Sequence, residues 1–92
     1  MKPQYVAIAE KSPKSIFRVW FPDVEGCEAT GVSLAEASAN AATALREHMD
    51  GLRGAGQALP PARTIDDVMR DDVVKKAIAA GGTLLSVPLD RT

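Results

Sequence analysis

The sequence has almost none of the residues that build metal or redox centres. It holds one cysteine, Cys27, and one histidine, His48, far apart along the chain. A single cysteine makes no internal disulfide, so nothing argues for an oxidising compartment. A metal centre needs several clustered Cys, His or carboxylate ligands, and no such spacing occurs, so no metal and no cofactor are expected. An excess of one charge is also missing: 11 Lys and Arg stand against 12 Asp and Glu, with no basic run. Nucleic-acid binding by this chain alone therefore has little electrostatic support. No apolar run approaches the roughly 18 residues that span a bilayer, and the chain reads as cytoplasmic. Aromatic residues are few, and Tyr5, Phe17, Trp20 and Phe21 all fall in the first quarter, which marks an early sheet-forming region. The 92 residues allow one domain with one modest core.

Residues 4–9 and 16–21 read as two strands joined by a turn at Ser12-Pro13. In the second run Phe17, Val19 and Phe21 point one way; Ile16, Arg18 and Trp20 point the other. A symmetric hairpin register pairs Ala9 with Ile16 and Tyr5 with Trp20. It puts Val6 and Ile8 beside Phe17 and Val19 on an uncharged core face. Tyr5, Ala7, Ile16, Arg18 and Trp20 are left on the opposite, open face. A third strand is expected over about 27–30, ending at Gly31. Ser33-Leu34-Ala35-Glu36 has the form of a capping box, in which Ser33 accepts from the Glu36 amide and Glu36 returns to the Ser33 amide. Leu34, Ala37, Ala41, Leu45, Met49 and Leu52 follow as one apolar stripe of a helix ending near 52–54. Residues 54–63 form a loop. Thr64 or Asp66 caps a second helical stretch, which breaks near 70–72, where Asp71 starts a fresh turn. Gly81-Gly82 stops it. A last strand over 83–89 presents Leu85, Val87 and Leu89 on one face, and Pro88 places it at a sheet edge. The expected order is β-β-β-α-α-β, an α+β fold with a three- to four-stranded sheet and helices on one face.

Catalytic motifs are missing as well. His48 sits at the border of the apolar stripe and reads as a boundary residue with its polar edge in water. No sequence motif gives it a nucleophile or an orienting carboxylate. Cys27, between Gly26 and Glu28, lacks a basic neighbour and reads as a small apolar residue. Asp23, Glu25, Glu28 and Glu36 could in principle serve a metal-dependent nuclease. The cap accounts for Glu36, and a turn at 22–26 accounts for Asp23. Gly51, Gly54 and Gly56 are not followed by the lysine of a phosphate-binding loop. No catalytic residue is assigned, and an enzyme is not expected.

Several runs resemble the HicB-like antitoxin family. They are Tyr5-Val6-Ala7-Ile8, Phe21-Pro22-Asp23-Val24-Glu25-Gly26-Cys27, Gly31, Ser33-Leu34-Ala35-Glu36-Ala37 with Asn40-Ala41 and Ala44-Leu45, and Leu59-Pro60-Pro61-Ala62. The resemblance covers essentially the whole chain. It implies a partial ribonuclease-H-like fold without catalytic carboxylates. It also implies a role in neutralising a HicA-type toxin, a small mRNA-cutting ribonuclease, and assembly into a homodimer or higher oligomer. Many family members carry a C-terminal DNA-binding module. Residues 1–92 read as the antitoxin domain alone, without that module, whether the chain is naturally short or part of a longer protein.

Two surfaces are expected to meet a partner. One is the open sheet face with Tyr5, Ile16, Arg18 and Trp20, residue types common at interface hot spots. A one-residue slip of the hairpin would instead place Trp20 in the core. The other is the acidic turn of Asp23, Glu25 and Glu28, complementary to a basic nuclease; a plainly solvated turn is the alternative. The function expected is an antitoxin. The rival is a stand-alone oligomerising or ligand-sensing module with no toxin.

Overall fold

A computed structural model describes residues 4–89. Three strands come first: β1 (Gln4–Lys11), β2 (Phe17–Trp20) and β3 (Glu28–Gly31). The helices α1 (Leu34–Gly54), α2 (Ile65–Val68) and α3 (Asp72–Ala79) follow, and β4 (Thr83–Pro88) closes the order. The four strands form one antiparallel sheet in the order β3-β2-β1-β4. β4 lies at an edge, as Pro88 requires, paired with Gln4.

The hairpin register differs from the symmetric one. Ala9 pairs with Val19, Ile8 with Trp20 and Lys11 with Phe17. β1 runs on to Lys11, and Ser15, in the left-handed region at φ 63°, completes the shorter turn that this register needs. The Ser12 hydroxyl and carbonyl hold that turn, accepting from the Ile16 amide at 3.2 Å and the Ser15 amide at 3.0 Å. Because side chains alternate along a strand, the shift exchanges the faces of β1. Tyr5, Ala7 and Ala9 join Val19 and Phe21 in the core against α1, and Val6 and Ile8 join Trp20 on the other side.

Helices lie on both faces of the sheet, which corrects the expectation of helices on one face, but on the second face they cover β1 and leave Arg18 and Glu28 of β2 and β3 exposed. The α1 stripe of Ala37, Ala41, Leu45 and Met49 is fully buried against the Tyr5 face. Leu34 at its start stays exposed, and Leu52 is half-buried against the same core. On the opposite face Val68 of α2 and Val74 of α3 bury Val6 and Ile8. β1 is thus enclosed from both sides.

The ends of the helices follow from side-chain and glycine chemistry. Ser33 Oγ accepts from the Glu36 amide at 3.1 Å. The Glu36 carboxylate returns to the amide of Val32, at 3.3 Å, and not to that of Ser33. Thr64 caps α2 and Asp71 caps α3, so the break expected near 70–72 is real. At the end of α3, Gly82 donates to Ala77 and Gly81 to Ile78, with Gly81 at φ 105°, a Schellman stop. Gly31 closes β3 against the start of α1. A Cβ there would lie 2.6 Å from the Ala37 nitrogen, so only glycine lets the two main chains meet.

Candidate functional site

The register builds a small polar lattice on the Trp20 face. Glu10 and Arg18 are paired across β1 and β2, and Trp20 and Glu28 across β2 and β3. Arg18 donates to Glu28 Oε2 from Nε at 3.0 Å and from Nη2 at 2.7 Å, and reaches Glu10 Oε1 at 3.5 Å. Its guanidinium lies 6.0 Å from the centre of the Trp20 ring, within range of a cation–π contact. The Trp20 indole N–H donates to Glu10. Trp20 is half-buried: one part packs on the Val6 and Ile8 cluster, and the rest is open.

Two successive turns carry the chain from β2 to β3, with Val24 donating to Phe21 and Cys27 to Val24, both at 3.2 Å. Phe21, Val24 and Cys27 point into the core and fix this turn, while Glu25 and Gly26 are exposed. Burial pushes the Cys27 thiol above its ordinary pKa, away from a reactive thiolate. Between the turn and the lattice lies an open cleft of about 330 Å³. Its walls are Trp20, Phe21, Pro22 and Val24, and Arg18, Glu25 and Glu28 also line it.

The cleft joins parts of the two surfaces expected from sequence. Arg18 and Trp20 of the first meet Glu25 and Glu28 of the second. Tyr5 is not among them. It is 3% exposed on the α1 side, and its phenol donates to the Pro60 carbonyl at 2.6 Å. Ile16 lies in the β1–β2 turn, ahead of β2 and outside the cleft lining. Asp23 is also withdrawn: its side chain is 4% exposed and accepts from the Arg63 amide at 2.8 Å and from Arg63 Nε. Asp23 therefore clamps the loop before α2 and offers no free carboxylate.

Sequence reasoning missed Arg63. It spans Asp23 and the α3 cap Asp71, 3.6 Å away, and its hydrogen bond to Asp23 raises its pKa further. The Leu-Pro-Pro run next to it was the available signal, since Pro60 receives the Tyr5 phenol three residues earlier. Among the described residues no three His, Cys, Asp or Glu side chains gather as metal ligands, and no helix is long and apolar enough to cross a membrane.

Comparison with known proteins gives one consistent result. A family model described as the HicB_like antitoxin of bacterial toxin–antitoxin systems matches residues 5–90. Among solved structures, a chain of a HicA3 and HicB3 toxin–antitoxin complex is 30% identical. That match covers 97% of this chain and 100% of that one, with a TM-score of 0.76. The N-terminal domain of the Burkholderia pseudomallei antitoxin HicB shares the fold at 22% identity and a TM-score of 0.78, over 97% of this chain and all of that one. A toxin–antitoxin complex from Streptococcus pneumoniae shares it at 21% and 0.73, over 98% of this chain and 70% of that one. None of the curated proteins matches the chain.

Proposed function

Because this chain belongs to the HicB-like antitoxin family, we propose that it binds and neutralises a HicA-type, mRNA-cutting ribonuclease toxin, and that it acts by contact, not catalysis. The observation that carries this reading is the match, end to end, to a chain from a complex of HicA3 with HicB3. The surface suits the task. The cleft brings a half-buried tryptophan and an arginine, residue types on which binding energy concentrates, together with two carboxylates. A ribonuclease that grips a polyanion carries basic residues around its active site, and a rim of carboxylates complements them.

The test is co-expression of this chain with the small protein encoded beside its gene. Rescue of arrested growth and a co-purifying complex support the reading. Continued arrest with no complex overturns it in favour of a module recruited to another binding task.

A further inference from the structure

Building on the antitoxin reading, we infer that the cleft below the β2–β3 turn is a seat for one arginine or lysine side chain of the toxin, held between the Trp20 ring and the Glu25 carboxylate. The molecule itself shows how a guanidinium is received here. Arg18 lies over Trp20 while donating two hydrogen bonds to Glu28. That pair consumes Glu28 and leaves Glu25, which makes no hydrogen bond or ion pair among the described residues. One arginine faces two glutamates in the cleft, so its uncompensated charge is negative. The partly exposed Trp20 and Pro22 give the cleft an apolar wall that suits the methylene stem of a long basic side chain. An anionic ligand would meet Glu25 first. The Arg18–Glu28 pair is about half exposed and worth little by itself, so Arg18 can move aside without a large loss of stability.

Trp20 is the chain's one tryptophan and stands in the wall of the seat, which gives a direct reporter. The experiment uses this chain carrying 5-fluorotryptophan, titrated with the purified toxin and followed by 19F NMR, with affinities measured in parallel. The expected result is a shifted Trp20 resonance on binding. Glu25→Lys should weaken binding by roughly tenfold and Glu25→Gln by less, with binding weakening as salt rises. Glu47→Lys, the same charge change on the exposed side of α1, should have little effect. A tight complex with an unmoved Trp20 resonance overturns the seat and leaves the antitoxin reading standing. Equal effects of Glu25→Lys and Glu47→Lys overturn it too, as plain charge steering would then suffice. No complex with the unaltered chain overturns both.

Discussion

Asp23 accepts the main-chain amide of Arg63 at 2.8 Å, across 40 positions of sequence, and its other oxygen accepts from the Arg63 side chain. This one carboxylate holds the turn that forms the cleft to the loop that leads into α2. Removing it leaves the Arg63 amide without its acceptor as well as breaking the ion pair. Asp23→Ala should cost roughly 1–3 kcal/mol in urea unfolding. Arg63→Ala should destabilise as well, since it leaves the buried Asp23 carboxylate without its cation and also frees Asp71. An Asp23→Ala variant as stable as the unaltered chain would mean that the clamp contributes nothing.

Two glycines should respond in opposite directions to the same change. At Gly31 an added methyl meets the main chain of Ala37 at 2.6 Å, and neither strand nor helix start yields easily. Gly31→Ala should destabilise by about 1–3 kcal/mol. Gly51, inside α1, has open space around its Cβ position, and Gly51→Ala should stabilise by about 0.5–1 kcal/mol. Thermal melts of the two variants check both signs.

The cap of α1 is the simplest local contribution. Ser33→Ala removes the acceptor of the Glu36 amide and should lower stability by about 1 kcal/mol. Ser33→Asp, which keeps an acceptor and places a negative charge at the helix start, should restore it. Unchanged stability of Ser33→Ala, by urea unfolding, would show that the cap bond is unimportant.

Tyr5 sets an alkaline limit. Burial first, and the nearby Asp23 charge second, raise its pKa above 10.0. The folded state therefore keeps its proton where the unfolded chain would release it. The Tyr5 contribution is whole below pH 10 and is lost as pH rises through the higher folded-state value. Tyr5→Phe should cost about 1 kcal/mol at neutral pH through the lost bond to Pro60 and should flatten the decline above pH 10. A decline of unchanged steepness in Tyr5→Phe would assign it to other groups.

Most elements were legible in the sequence because each carried its own chemistry: the Ser33 cap, the Asp71 restart, the Gly81-Gly82 stop and the edge position of Pro88. The face of β1 was not. Tyr5, Val6, Ala7, Ile8 and Ala9 are all buried, so the strand has no polar alternation by which to choose a side. Only the turn decides it, and the turn depends on Ser15 taking a left-handed conformation that serine rarely adopts. The cleft was half legible. Trp20, Arg18, Glu25 and Glu28 each stand out in the sequence, but as two surfaces, since the pairing of Trp20 with Glu28 needs the β2–β3 register. The partnership of Asp23 with Arg63 had no local signal; nothing short of the tertiary fold brings those positions together.

Inhibition by contact is tested by RNA cleavage by the purified toxin titrated with this chain. Cleavage should fall to background near one equivalent of chain per toxin, with no RNA cleavage by the chain alone. Cleavage that continues unchanged at a large excess of folded chain would contradict it.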